Sequence, residues 1–116
     1  IRYMNNRQRM RSSNRKAVLH LLKLGYDDIW LKPHTKRHDL IYTTGEWYRA
    51  LDLWNLFDGV CFDSDGNLVL LQIKTNAWAS KKRIEEFLSD KKNLIVLIIN
   101  VKYGKSWTVN IREYKT

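Results

Sequence analysis

The sequence has a single cysteine, Cys61, among its 116 residues. One thiol excludes an internal disulfide and a cysteine-based zinc site, and it fits a reducing compartment, so we expect an intracellular, cytoplasmic protein. The longest apolar run, Leu94 to Val101, is far shorter than the roughly 20 residues that a membrane-spanning helix needs. We therefore expect no membrane span, and the sequence shows no signal-peptide pattern either.

Acidic residues are scarce: 12 Asp and Glu stand against 21 Lys and Arg, which gives a formal net charge of +9. Such an excess on a small protein favours a polyanionic partner, nucleic acid before an anionic membrane surface. The hydrophobic fraction of 44% is typical of a globular domain with a modest core. Because repeats, low-complexity tracts and linkers are absent, we expect residues 1–116 to form one domain.

Basic residues are densest near the start of the chain, where Arg2 to Lys16 contains no acid. This tract runs into a helical pattern that Gly25 is placed to end. We expect an amphipathic helix whose basic first half contacts phosphates, although a run of charge is more often a solvated surface. The apolar stripe consists of Ala17, Val18, Leu21 and Leu22. The candidate nucleic-acid-binding residues are Arg7, Arg9, Arg11, Arg15 and Lys16, with Lys36 and Arg37 from a later basic loop.

The stretch from Trp54 to Trp78 predicts two β-strands joined by a tight turn. Ser64 to Gly66 suits a three-residue hairpin loop, because glycine tolerates the left-handed conformation at its last position. A two-residue turn at the same place is the alternative, and it would shift the register by one and move Asp58 to the other face. We favour the three-residue loop, which pairs Phe62 with Leu68, Val60 with Leu70 and Asp58 with Gln72.

Asp58, Gln72 and Lys74 would then lie on one face, where their chemistry suits a divalent cation and a phosphate. Asp58, Gln72 and the backbone carbonyl of Ile73 would supply oxygen ligands to Mg²⁺ or Mn²⁺. Lys74 would orient or deprotonate the attacking water, or stabilise charge on the phosphate. The same residue types are common on the solvated face of a hairpin. The apolar run Leu68 to Leu71 instead indicates a buried central strand, which favours a site at its end.

This stretch resembles the active-site hairpin of the PD-(D/E)XK nuclease superfamily, with Asp58-Gly59 on one strand and Gln72-Ile73-Lys74 on the next. Gln72 stands where most members have Glu or Asp, as in a minority variant of the family. The basic helix followed by Leu24-Gly25-Tyr26 is similar to the first helix of archaeal Holliday-junction resolvases and their nuclease relatives. Asn14 takes the helix position that is usually acidic there.

A later helix, expected to begin near Ser80, offers Glu85 and Glu86. In some members of the resembled superfamily the missing acid comes from this helix, so one of the two carboxylates is a candidate metal ligand. Exposure to solvent is the favoured alternative for both, since Glu on helices is mostly solvated.

The sequence pattern predicts the order α-β-β-β-α-β-β over most of the chain, which matches the α/β, restriction-endonuclease-like fold that the resemblance implies, with a central mixed β-sheet flanked by helices. The resemblance also implies a Mg²⁺-dependent DNA endonuclease that leaves a 5′-phosphate, acts as a homodimer and has branched DNA among its substrates. A nucleic-acid-binding module that keeps the fold without catalysis is the first alternative. An RNA-binding protein unrelated to nucleases is the second, and RNA as the substrate also stays open.

Two further segments carry weaker signals. Residues 40–55 form an aromatic-rich insertion that we interpret as helical, with Trp47 and Tyr48 either in the core or stacking on bases, and Trp54 in the core. His34 and His38 lie four apart, but the preceding proline argues against a helix that would bring them together on a metal.

Overall fold

The computed structural model describes residues 6–32, 40–43, 46–49, 53–54 and 56–116, with backbone alone for residues 6, 7, 40–43 and 46–49. Within these residues, two helices and seven strands follow one another. They are α1 (Asn6–Lys23), β1 (Asp27–Leu31), β2 (Leu40–Thr43), β3 (Glu46–Arg49), β4 (Gly59–Phe62), β5 (Leu68–Thr75), α2 (Lys81–Leu88), β6 (Ile95–Tyr103) and β7 (Trp107–Lys115).

Five strands form a mixed sheet in the order β1-β4-β5-β6-β7. β5 and β6 run parallel, and every other neighbouring pair in this sheet is antiparallel. Helix α2 is the crossover between the parallel pair, as a parallel connection requires. The expected α/β class with a central mixed sheet and helices is confirmed.

The prediction that the insertion at residues 40–55 is helical was wrong, because the described part of the insertion contains an antiparallel hairpin of β2 and β3. Its sequence is rich in aromatic and β-branched residues, which fit a pleated strand better than a helix. The predicted order of elements therefore lacked two strands. The side chains of Trp47 and Tyr48, and all of His34, Lys36, Arg37 and His38, lie outside the described residues.

Helix α1 ends as its sequence predicts, in a Schellman motif at Gly25, which has φ +96°. The Tyr26 N–H donates to the Leu21 carbonyl at 3.0 Å, and the Gly25 N–H donates to the Leu22 carbonyl at 3.2 Å. The stripe that α1 buries is Ser13, Ala17 and Leu21, each at most 1% exposed. Leu22, expected in that stripe, is 50% exposed because it lies a quarter-turn away from Leu21.

The β4–β5 hairpin has the predicted three-residue loop. Phe62 pairs with Leu68 and Val60 with Leu70, and Gly66 takes φ +80°. The Asp63 carboxylate accepts the backbone N–H groups of Asp65 and Asn67, at 3.0 and 2.8 Å, which locks the turn. The register of the hairpin is therefore fixed by local turn chemistry.

Two cores cover the two faces of the sheet, since successive residues of a strand point to opposite sides. On the α1 face, Leu71 and Ile73 of β5 pack with Ala17 and Leu21. On the α2 face, Leu70 packs with Ile84 and Leu88 of α2, which starts at the expected N-cap Ser80. Gln72 and Lys74 alternate with Leu71 and Ile73 and so belong to the α2 face.

Trp54 was expected in the core and is 63% exposed. It occupies a turn with φ +50°. Its ring nevertheless covers Phe57 and Phe87, with centroid distances of 6.4 and 5.4 Å. Within the described residues, neither helix is long and apolar enough to cross a membrane.

Candidate functional site

Asp58 joins three segments of the sheet immediately before β4 begins. Its carboxylate accepts the backbone N–H of Ile73, with 3.2 and 3.3 Å from the nitrogen to the two oxygens. Its own N–H donates to the Leu71 carbonyl at 2.9 Å, and its carbonyl accepts the Lys32 N–H at 2.7 Å. These bonds hold the carboxylate beside Ile73, the residue between Gln72 and Lys74.

The regular β4–β5 pairing ends at Gly59 and Leu71, one residue before the predicted Asp58–Gln72 pair. Phe57 leaves the line of the strand and is fully buried in the core on the α2 face. The Asp58 carboxylate therefore takes the place of a backbone acceptor for the Ile73 N–H. The carboxylate lies at the side of β5 beside Ile73, which is the residue between Gln72 and Lys74. It does not lie directly opposite Gln72.

Gly59 explains why an Asp-Gly pair stands at this point. A Cβ built on Gly59 would lie 2.5 Å from Cδ2 of Leu31 and 2.7 Å from the carbonyl oxygen of Trp30. The glycine thus lets β1 approach β4 closely beside Asp58. The position of the carboxylate depends on this close approach.

Gln72 is 9% exposed, and its Oε1 is buried without a hydrogen-bond partner. A buried amide oxygen with no donor costs free energy, and such atoms are rare in folded proteins. Metal coordination is one way to satisfy it, because neutral oxygens are ligands for hard cations. The carbonyl of Ile73 points to the same side of β5 as its N–H, which is the side of Asp58.

Lys74 is exposed and borders a cavity on each face of the sheet. The smaller cavity, of about 60 Å³, lies on the α2 face and is also lined by Gln72 and Arg83. The larger, of about 420 Å³, lies on the α1 face and is lined by Arg9 and Asn14. The structure thus brings Gln72 and Lys74 to the smaller cavity. Asn14 lines the larger cavity, on the opposite face of the sheet at the end of β5.

Glu85 and Glu86 are both exposed, and neither lines the cavity at Gln72. Glu85 instead pairs with Lys81 at 3.7 Å on the outer surface of α2. Helix α2 contributes Ile84 and the cation Arg83 to the lining of that cavity. Among the residues that the structure describes, no group of three or more His, Cys, Asp or Glu side chains could hold a metal. Asp58 is therefore the one acid in the predicted donor set.

The predicted phosphate contacts on α1 separate into two groups. Arg11, Arg15 and Lys16 are exposed, as the prediction requires. Arg9 is half-buried, its Nε lacks a hydrogen-bond partner, and its guanidinium carbon lies 6.0 Å from the centre of the Tyr103 ring. Arg9 therefore has an unused donor near the end of β5 that carries Lys74. The side chain of Arg7 lies outside the described residues.

Asn100 is a buried polar residue that the sequence prediction missed. It is 5% exposed, its Oδ1 has no hydrogen-bond partner, and it stands beside Lys74 in the β5–β6 register. The available signal was one polar residue within the apolar run from Ile95 to Val101. Asn100 also lines a third cavity, of about 720 Å³, at the end of the sheet.

Cys61 is fully buried on the α1 face. Burial raises the pKa of its thiol to about 11, with a smaller contribution from the negative charge of Asp63. The thiol is consequently protonated at neutral pH and is suited neither to nucleophilic attack nor to metal binding. The candidate site at Asp58, Gln72 and Lys74 therefore depends on oxygen ligands and cationic side chains for its chemistry.

No protein-family model, curated protein or solved structure matches this chain.

Proposed function

We propose that this protein is a metal-dependent DNA endonuclease with a restriction-endonuclease-like fold, whose site is formed by Asp58, Gln72 and Lys74. The observation that carries the proposal is the unpartnered, buried Oε1 of Gln72, one residue from the backbone N–H that binds the Asp58 carboxylate. The order of elements supports the proposal. With the β2–β3 hairpin set aside, it is the order that the resemblance to PD-(D/E)XK nucleases implies.

The donor atoms of these residues are of a chemical type that suits a Mg²⁺ or Mn²⁺ ion. One carboxylate from Asp58, the Oε1 of Gln72 and the carbonyl of Ile73 are hard oxygen ligands of the kind that these cations prefer. Mg²⁺ usually keeps several waters and binds substrate phosphate, so a small protein donor set is sufficient. When bound, the ion supplies a Lewis acid and lowers the pKa of a bound water.

The side chains divide the remaining work. The exposed ammonium of Lys74 stands at the end of β5, where it would contact the scissile phosphate or the attacking water. The Ile73 N–H and the backbone bonds of Asp58 hold the carboxylate in place before substrate arrives. In-line attack of water on phosphorus, with release of a 5′-phosphate, follows from the resemblance.

The exposed cations of α1 would bind the DNA backbone on either side of the cut. The formal net charge of +9 supports the choice of a nucleic acid as substrate. We extend the proposal to a homodimer acting on branched DNA, because two related sites would make two symmetric cuts.

A binding module without catalysis is the second candidate, and a specific observation favours it. The donor set has one carboxylate, whereas Lys74 and Arg83 both border the cavity at Gln72. Excess positive charge weakens the attraction for a divalent cation while it strengthens the attraction for phosphate. Such a protein would bind DNA through the same face without cutting it.

The test is cleavage of a labelled panel that holds a four-way junction, a flap, a duplex, single-stranded DNA and RNA. Each substrate is incubated with Mg²⁺, Mn²⁺ or EDTA, and the product ends are examined for a 5′-phosphate. Metal-dependent products from DNA support the endonuclease and name its preferred substrate. Tight binding without cleavage under either metal contradicts it and supports the binding module.

A further inference from the structure

Among the residues that the structure describes, helix α2 covers only part of the α2 face of the sheet. Helix α2 has eight residues and packs over Leu70, Val96 and Ile98, toward the beginning of the parallel strands. Every second position of β5 and β6 points to this face. Beyond the end of the helix, the residues at these positions are polar or basic. These residues are Lys74 on β5, with Asn100 and Lys102 on β6.

This uncovered end of the sheet holds the cavity of about 720 Å³, which we call the end cleft. Its wall contains Asn76, Trp78, Asn100, Lys102, Tyr103 and Lys105. The volume falls within the range of roughly 300–1,000 Å³ that is usual for small-molecule sites. The end cleft is therefore large enough for one nucleotide.

Asn100 gives the end cleft a specific polar group. The residue is 5% exposed, and its Oδ1 has no donor within the protein. An acceptor left unpaired in this way favours a ligand that brings an N–H group. Gln72 has the same kind of unpartnered oxygen but borders a separate, smaller cavity.

Aromatic and basic side chains complete the wall. Arg112 lies over the ring of Trp78 at 4.0 Å, which fixes the indole on the α2 face. Such a ring can stack on a nucleobase. Lys102 and Lys105 are exposed at the cleft and carry the charge that a phosphate requires.

We propose that the end cleft binds one unpaired nucleotide of the DNA substrate. The base enters the cavity, stacks on Trp78 and donates a hydrogen bond from its Watson–Crick edge to Oδ1 of Asn100. Lys102 and Lys105 bind the flanking phosphates. A base within a duplex has this edge engaged in pairing and both faces stacked, so it cannot reach a buried acceptor.

The end cleft lies beside the proposed nuclease site. Asn100 stands beside Lys74 in the parallel register, and Asn76 lines both the end cleft and the cavity on the α1 face. A strand cut at Lys74 would therefore place a neighbouring nucleotide in the end cleft. The proposal rests on the proposed function for its choice of DNA, and it defines the substrate class as DNA with an unpaired nucleotide next to the cut.

The test is equilibrium binding in EDTA, where no cleavage takes place. The probes are a labelled thymidine oligonucleotide of about ten nucleotides, within the usual footprint of single-strand binders, and the same strand with abasic sites. The abasic strand keeps the phosphates and lacks the bases. We expect the thymidine strand to bind about tenfold more tightly, the effect of roughly one good hydrogen bond or stacked base.

Asn100→Leu is the decisive variant, because leucine has nearly the same shape and lacks the unpaired oxygen, so the fold should be kept or stabilised. We expect its preference for the thymidine strand to fall severalfold, because the base keeps its contact with Trp78 but loses the hydrogen bond to Oδ1. Lys102→Ala should weaken binding of both strands equally. Lys92→Ala is the charge-matched control and lies after α2, away from the end cleft.

Equal binding of the two strands by the wild type would overturn the proposal without any variant. A preference for bases that is undiminished in a folded Asn100→Leu protein would overturn it as well. The outcome is independent of catalysis. A preserved preference with no cleavage would contradict the nuclease alone, whereas cleavage without the preference would contradict the end cleft alone.

Discussion

The carboxylate of Asp58 accepts the backbone N–H of Ile73, at 3.2 and 3.3 Å from its two oxygens. The bond forms because the regular β4–β5 ladder stops at Gly59, which leaves the Ile73 N–H without a partner on β4. The side chain of Asp58 takes over this role. In consequence the single acid of the proposed donor set is fixed beside Gln72 and Lys74 by backbone geometry.

Gln72→Glu should tighten metal binding, because it adds a second carboxylate to the donor set. Without metal the new buried charge has no cation bound to it and should destabilise the fold. We therefore expect a lower melting temperature in EDTA than for the wild type, and a larger rise on addition of Mn²⁺, since ligands that bind the folded state stabilise it. Thermal melting with and without Mn²⁺ measures both effects.

Asn100→Asp is the matched control for this prediction, because it also converts a buried amide into an acid on the same face of the sheet. It should lower stability in EDTA without the additional recovery in Mn²⁺. Equal recovery of the two variants, or none in Gln72→Glu, would argue against a metal at Gln72.

The cations of α1 should make DNA binding steeply dependent on salt, because each phosphate contact releases condensed counterions. Replacing Arg11 and Arg15 by Ala should reduce the slope of log K against log[salt] by about 2, roughly one for each arginine that no longer neutralises a phosphate. Fluorescence anisotropy over a salt series provides the slope. Lys92→Ala should leave the slope close to that of the wild type, and binding that is indifferent to salt would contradict the phosphate contacts.

Gly59→Ala should destabilise the protein, because the added Cβ would overlap Cδ2 of Leu31 and the carbonyl of Trp30. Overpacking of this kind costs roughly 1–3 kcal/mol of unfolding free energy. Urea denaturation measures the destabilisation. Gly104→Ala is the matched control, since its Cβ would meet nothing within 4 Å. An unchanged midpoint for Gly59→Ala would contradict the close approach of β1 and β4 beside Asp58.

Cys61 should make stability depend on pH in the alkaline range. Its folded pKa of about 11 lies above the ordinary value near 9, so the unfolded chain loses the thiol proton first. The contribution of the thiol to stability is complete below the ordinary value and is lost as pH rises toward the folded pKa. Urea denaturation at a series of pH values should show this decline, and Cys61→Ala should remove the part that the thiol contributes. An unchanged decline in Cys61→Ala would assign it to other groups.

Local chemistry explains which parts of the fold could be predicted from sequence. The end of α1 at Gly25, the start of α2 at Ser80 and the three-residue loop at Gly66 each depend on neighbouring residues. The apolar pattern of Leu68 to Leu71 was likewise sufficient to identify a central strand. These features require no knowledge of distant contacts.

The misses concern features that depend on tertiary packing. Trp54 is largely exposed and lies in a turn with a positive φ, and no local pattern indicated either feature. The predicted geometry of the site was only approximate for the same reason. The register leading to Asp58 was predicted, but the departure of Phe57 into the opposite core moves the Asp58 carboxylate to Ile73. The unpartnered oxygens of Gln72 and Asn100 emerge only when the strands are assembled.

The most direct test of the nuclease site is single-turnover cleavage of the best substrate by the wild type, Asp58→Asn and Lys74→Ala. Asp58→Asn keeps the side-chain shape and removes its charge, and Lys74→Ala removes the ammonium. Asp65→Asn, in the exposed hairpin turn, and Lys92→Ala are the matched controls.

We expect metal-dependent cleavage by the wild type and both controls, and a decrease of at least about a hundredfold in each site variant, the usual scale for a group acting in the transition state. DNA binding in EDTA should persist in all of them. Wild-type rates in folded Asp58→Asn and Lys74→Ala proteins would contradict the central claim.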